Sequence, residues 1–190
     1  MVPENSGIIT ATGGLSSGWQ DFRMPVIRNA VPADAEGIGE AHAEAWRLAY
    51  EGLFPADELA AAVDVRRRMW IGLVGDPNLG GELLVAEETG RVVGFIHFGP
   101  ASESDELGEV YGFYVHPSSW GTGDAQALMD RTFTSLAESF ARAILWTHLD
   151  AGRARRFYAK TGWTETGKQR QETTWDGVTY RAVEYDRRLA

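Results

Sequence analysis

Residues 109–137 read EVYGFYVHPSSWGTGDAQALMDRTFTSLA, and the order of chemistries in that stretch decides the fold. Its first seven residues, Glu109 to Val115, are mostly β-branched or aromatic, the composition of a strand. Pro117 and the turn Gly121-Thr122-Gly123 interrupt it. Ala125, Leu128, Met129, Thr132, Phe133 and Leu136 then recur at three-then-four spacing, which marks a helix with one buried face. The glycines therefore fall where the first N–H groups of that helix lack an internal acceptor. Small residues there let a ligand reach the backbone, and free amides together with the helix dipole form an anion site suited to phosphate. A short Gly-x-Gly also serves as a tight strand-to-helix turn that needs glycine for its own geometry, so this stretch alone leaves both readings open.

Working outward, helices and strands alternate as in a mixed α/β domain. Asp34 is suited to cap a helix whose apolar face is Ile38, Ala41, His42, Ala45, Trp46 and Ala49. A second helix is predicted over residues 66–73, ended near Gly75 and Pro77. Residues 82–87 and 92–98 read as strands about the turn Glu88-Thr89-Gly90-Arg91. Residues 143–146 suit a strand buried on both faces, and residues 151–161 a helix. Trp175-Asp176-Gly177 has the chemistry of a hairpin turn joining two last strands. Residues 1–24, rich in Gly, Ser and Thr, have no basic start followed by an apolar core. They read as a poorly ordered extension and not as a secretory signal, with docking through Ile8, Ile9 or Trp19 as the alternative. Residues 25–190 then form a single domain without internal repeats.

Composition narrows the function classes. A chain of 190 residues that is 44% hydrophobic and 24% charged can bury one sizeable core, and no apolar run approaches membrane-spanning length. The lack of cysteine removes disulfides, thiolate metal sites and a cysteine nucleophile. Histidines at 42, 97, 116 and 148 show no ligand spacing, so no metal is expected. With 18 basic and 27 acidic residues the net charge is −9, which disfavours nucleic acid and favours cationic partners. No membrane partner is expected, and the expected location is cytoplasmic.

Three blocks resemble the GCN5-related N-acetyltransferase (GNAT) family. That family follows a strand with V-x-P, then Gln/Arg-x-x-Gly-x-Gly/Ala opening a helix; here the residues are Val115-His116-Pro117 and Trp120-Gly121-Thr122-Gly123-Asp124-Ala125. Upstream, Ile27-Arg28 and PADAEGIGEAHAEAWRLAYEGLFP resemble the family's first strand and first two helices. Downstream, ARAILWTHLDAGRARRFYAKTGW resembles its fifth strand and fourth helix. The likeness covers residues 25–188 with all blocks in order. It implies an α/β GNAT fold: a mixed, mostly antiparallel central sheet of about seven strands, flanked by about four helices and splayed between the fourth and fifth strands.

The resemblance also implies acetyl-CoA as co-substrate and an amine acceptor, either a small molecule or a peptide. Residues 121–125 would cradle the pyrophosphate, with Trp120, Gly121, Thr122, Gly123, Asp124 and Ala125 as the cofactor turn. A bulge near Phe113, Tyr114 and Val115 would free amides for the pantetheine arm and the thioester oxygen. Tyr158 matches the family's tyrosine near the sulfur and is the candidate general acid; Phe157 and Tyr158 also read as the plain apolar face of their helix. Glu109 is the candidate base, acting through water, with a solvated strand-end charge as the alternative. The acidic residues Glu103, Asp105 and Glu106 read as a surface loop able to attract an amine.

Arg153, Arg155, Arg156 and Lys160 crowd the fourth helix, where one or two could reach cofactor phosphates while the others form a solvated face. Trp46, Tyr50, Phe54 and Trp175 are candidates either for an acceptor pocket or for core.

Four positions depart from the family pattern. Trp120 replaces Gln or Arg, Thr122 replaces a frequently basic residue, and Ala151 stands where relatives place asparagine. Asp124 adds a negative charge to the turn and is suited to bond the same amides that a pyrophosphate needs. A catalytically silent CoA-binding or sensor domain therefore stands as the alternative to an N-acyltransferase, and dimerisation through the final strands is left open.

Overall fold

A computed structural model describes residues 25–173 and 177–189. The N-terminal extension and the turn residues Trp175 and Asp176 lie outside the described residues. The elements in chain order are β1 (Val26–Asn29), α1 (Ala35–Tyr50), α2 (Ala56–Met69), β2 (Glu82–Glu88), β3 (Arg91–Ala101), β4 (Ser104–Val115), α3 (Asp124–Ala137), β5 (Arg142–His148), α4 (Gly152–Lys160), β6 (Thr164–Thr173) and β7 (Thr179–Arg188). The strands form one seven-stranded sheet in the order β1-β2-β3-β4-β5-β7-β6. β4 and β5 pair in parallel, and the other neighbours are antiparallel. This is the mixed, mostly antiparallel sheet that the sequence predicts.

The two faces of the sheet are covered differently. On one, Val110, Leu145, Val183 and Tyr185 pack with Leu128, Met129 and Leu136 of α3 and with Tyr158 of α4. Leu128 and Met129 are fully buried, and each such side chain stabilises the fold by about 1.5–3 kcal/mol. The predicted stripe of α3 is therefore its buried face. On the other, α1 and α2 cover β2 and β3 through Ile38, Trp70, Val85 and Phe95. Tyr50 at the end of α1 reaches His148 of β5, and α2 borders a groove with Val178 and Thr179 at the start of β7.

Several elements differ from expectation. α2 begins ten residues earlier than residue 66 and stops at Met69. Asp57 and Glu58 in its first turn suit the helix dipole, but only Ala62, Val63 and Arg66 are buried, too thin a stripe to read by periodicity. Asp34 does precede α1, yet its carboxylate makes no cap bond to the helix. It instead accepts from Arg28 at 2.6 and 2.8 Å and from the Val31 amide at 2.8 Å, tying β1 to the start of α1. Ala49 is exposed, and Tyr50 completes the buried face of α1. The acidic stretch read as a loop is a hairpin, with Ala101 of β3 paired to Ser104 of β4. Its side chains project beyond the core, where charge costs nothing to solvate.

The strand feature that opens the site is the limited pairing of β4 with β5. Gly108, Glu109 and Val110 pair with Ala143, Ile144 and Leu145, and the ladder stops there. β4 runs on to Val115 and β5 to His148, so the two strands part. The bulge lies at Tyr111, upstream of the predicted Phe113, because Val110 faces Phe98 while Gly112 faces His97. Tyr111 is held there by a short hydrogen bond from its hydroxyl to the Pro100 carbonyl, at 2.5 Å.

Candidate active site

The mouth of the gap is the turn before α3. Gly121 and Gly123 have φ of 89° and 108°, and a Cβ on either would meet nothing within 4 Å. Glycine is thus required by the backbone and also leaves open space above it. The backbone N–H groups from Gly121 to Gln126 find no acceptor among the described residues, and Ala127 is the first to bond, to the Gly123 carbonyl at 3.0 Å. Such a run of outward donors at the head of a helix is a ready anion cradle. It fits a pyrophosphate.

Asp124 does not compete for these amides as the sequence suggested. Its side chain makes no cap bond and instead takes the Thr122 hydroxyl at 2.7 Å. It is buried, and its other carboxyl oxygen has no hydrogen-bond partner among the described residues. Ala125 is half-buried against the main core and offers only its amide to the cradle.

Strand β4 supplies the inner wall. The His116 N–H bonds the Val93 carbonyl on β3 at 2.7 Å. By the alternation of an antiparallel ladder, Phe113 and Val115 turn their backbone groups the other way, into the gap. Tyr114 is placed differently from the expectation: its backbone faces β3, and its ring lies 4.2 Å from that of His42. The Val115 carbonyl accepts from the Trp120 indole N–H at 2.9 Å, which pins the indole beside the turn. The Arg153 guanidinium lies over that indole, 4.0 Å from the ring centroid. Ala151, buried just before α4, has no side-chain group to offer.

Tyr158 rises from α4 on the core side. Its ring neighbours Phe157, Trp163 and Tyr185 at 5.9, 6.4 and 5.8 Å, so it is a core residue as well as a site candidate. Burial pushes its phenol well above the ordinary value, and Tyr114, Tyr185 and Tyr180 push it further. The group stays protonated and able to donate. Glu109 points to the other face, because its neighbour Val110 is in the main core. Desolvation raises its carboxyl above the usual value, against Arg170, which lowers it. Tyr158 and Glu109 are therefore on opposite faces of the sheet.

Sequence reasoning missed His148. It ends β5 on the open face, stacked on Tyr180 at 5.0 Å and 17°, with Tyr50 at 5.3 Å and Phe54 at 6.3 Å. Its Nδ1 accepts from the Asp150 amide at 2.9 Å, and desolvation lowers its pKa, so the neutral ring carries its proton on Nε2. As one of four scattered histidines without metal spacing it carried no signal in the sequence; only packing picks it out. Trp46 and Tyr50 are core, whereas Phe54 lines a groove of about 520 Å³ with Glu58, Val65, Val178 and Thr179. A groove of about 580 Å³ lined by Arg142, Gly162 and Arg187 lies at the far end of β5, away from this chemistry. Among the described residues no group of three His, Cys, Asp or Glu could hold a metal ion, and no helix is long and apolar enough to cross a membrane.

A mixed sheet splayed beside a phosphate-type cradle defines an acyl-CoA-dependent transferase. Residues 40–163 match the model of the acetyltransferase (GNAT) family, and the chain belongs to that family. It is 30% identical over 137 residues to an uncharacterized N-acetyltransferase of Mycobacterium tuberculosis, covering 70% of this chain and 85% of that protein. An uncharacterized N-acetyltransferase of Bacillus subtilis is 26% identical over 126 residues, covering 65% of this chain and 71% of that protein. Among solved structures, the PaiA N-acetyltransferase of Thermoplasma acidophilum in complex with coenzyme A superposes with a TM-score of 0.67 at 15% identity, over 87% of this chain and 99% of that one. The putative acetyltransferase YncA of Salmonella typhimurium, solved with acetyl-CoA, gives 0.59 at 22% identity, over 88% and 95%. At these identities the likeness to the solved structures is one of fold.

Proposed function

We propose that the protein transfers an acetyl group from acetyl-CoA to the amine of a small molecule or peptide, by direct attack within a ternary complex. The observation that carries this reading is the run of unpaired amides from Gly121 to Gln126 above two open glycines. Those amides hold the pyrophosphate, and the inward backbone groups of Phe113 and Val115 hold the arm. Acetyl-CoA supplies the activated acetyl group.

On the open face Glu109, its carboxyl raised by desolvation, accepts the ammonium proton through water and leaves a neutral amine. The amine nitrogen forms a bond to the acetyl carbon as the carbon–sulfur bond breaks, and the second nitrogen proton leaves to water and restores the phenol of Tyr158 once that has protonated the sulfur. Tyr158 donates its proton to the leaving sulfur, and its burial keeps that proton in place until then. The chain contains no cysteine to carry an acyl group, which favours direct transfer over a thioester on the protein. The acceptor approaches over His148, Tyr180 and Phe54.

The test is a titration with acetyl-CoA followed by an amine panel. Saturable binding and amine-dependent release of CoA are expected, with Tyr158→Phe lowering kcat about 100-fold and leaving the acetyl-CoA Kd unchanged. Binding without turnover on any amine favours the silent CoA-binding domain. No binding at millimolar cofactor overturns both readings.

A further inference from the structure

The stack between Arg153 and Trp120 crosses the mouth of the gap. Trp120 belongs to the β4–α3 connection, whereas Arg153 stands in the first turn of α4, on the chain that follows β5. β4 and β5 have already parted at Val110 and Leu145. The guanidinium over the indole at 4.0 Å is therefore a contact between the two lips of an open cleft. The indole is fixed from below by the Val115 carbonyl, so the platform is rigid and the arginine is the movable part.

Arg155, the next cation of α4, is placed for other work. Arg155 is consumed by Glu165 at 2.8 Å, by the Leu149 carbonyl at 2.8 Å and by the Tyr185 hydroxyl at 3.2 Å. That set ties α4 to β6 and β7. Arg153 has no acidic partner among the described residues, and its residue is exposed. The indole it covers directly precedes Gly121, the first of the unpaired amides, in a turn that carries the buried carboxyl of Asp124 and in a chain of net charge −9. A diphosphate entering that turn would meet one unfavourable charge from Asp124. The Arg153 guanidinium, over the indole next to that turn, is a cation able to offset it.

We propose that Arg153, held on the face of Trp120, is the strap that binds the diphosphate of the cofactor across the cleft and selects the full nucleotide thioester over a pantetheine thioester without phosphates. The guanidinium offers paired donors matched to phosphate oxygens, and the indole supplies the orientation that a flexible arginine lacks. Cradle amides and strap approach the anion from opposite lips. This rests on the acetyl-CoA reading above.

The experiment compares acetyl-CoA with S-acetylpantetheine, by calorimetry and thermal shift, on wild type, Arg153→Ala, Arg153→Lys and Trp120→Ala. Arg153→Ala should raise the acetyl-CoA Kd about tenfold, the size of one charged hydrogen bond, and leave S-acetylpantetheine binding unchanged. Arg153→Lys should recover part of the loss, and the effect of Arg153→Ala should shrink in the Trp120→Ala background. Raising salt should weaken acetyl-CoA binding to wild type more than to Arg153→Ala. The proposal is overturned if Arg153→Ala leaves the acetyl-CoA Kd unchanged, or weakens both thioesters equally. Wild-type protein that binds acetyl-CoA with no effect of Arg153 removes the strap alone; wild-type protein that binds neither thioester removes the transferase reading and the strap with it.

Discussion

The hydroxyl of Thr122 divides its one proton between the Asp124 carboxylate at 2.7 Å and the Ser119 carbonyl at 2.8 Å. This contact turns a carboxylate at the head of α3 away from the amides of its own helix. A residue that reads as a competitor for phosphate is thereby a neighbour to the cradle, and its cost to an anion is charge alone.

Asp124→Asn should accordingly lower the acetyl-CoA Kd, by about three- to tenfold for a charge at this range and an effective dielectric near 20. The hydrogen bond with Thr122 survives in the amide. Calorimetry on the two proteins decides it, and an unchanged or larger Kd for Asp124→Asn would show that the carboxylate does not oppose the anion.

Gly123→Ala should weaken acetyl-CoA binding as well as the fold. Its φ of 108° costs an alanine about 1–3 kcal/mol, but the new methyl meets no protein atom. The methyl occupies the space above the amides instead. A Kd rise of about tenfold or more for the folded variant is expected beside a loss of about 1–3 kcal/mol in urea unfolding; an unchanged Kd would mean the glycine serves only the turn.

The pH profile of kcat/KM should show an acid limb centred above pH 4.5, because desolvation raises Glu109 from that value and the carboxylate must be free to act as base. The rate rises as pH climbs through the raised pKa. Glu109→Gln should lower kcat about 100-fold and abolish the limb. If the limb persists in the variant, another group is the base.

Stability should fall as pH drops below about 6.5, the ordinary histidine value from which His148 and His97 are both lowered by desolvation. The unfolded chain binds protons there that the folded one refuses, so unfolding gains protons and stability rises with pH across the window. The contribution is complete above the unfolded value and is lost as pH falls through the folded ones. Urea unfolding from pH 7.5 to 5 measures it, and a His148→Gln slope equal to wild type would exclude His148 from the effect.

Local patterns along the chain were enough for most of the architecture. The stripe from Ala125 to Leu136 marks α3, because burial on one side of a helix repeats at the helix period and is written in the order of residues. The glycines of the turn before α3 were legible for the same reason, since φ above zero is a local demand. α2 was misplaced because its helical signal comes from charge at the ends and from alanine, with only Ala62, Val63 and Arg66 buried. Tyr158 was legible as a candidate, but its place at the gap depends on where β4 and β5 stop pairing.

What the sequence by itself determined is the family pattern: strand, glycine turn, amphipathic helix and a tyrosine-bearing helix, each specified by neighbours within a few residues. Only the tertiary structure decided what the departures from that pattern do. Asp124 turns to Thr122, Trp120 meets Arg153 across the cleft, and His148 stacks on Tyr180 from another strand. Two of these partners are more than thirty residues apart, and a contact of that kind is set by how the sheet and helices pack, which no local window contains.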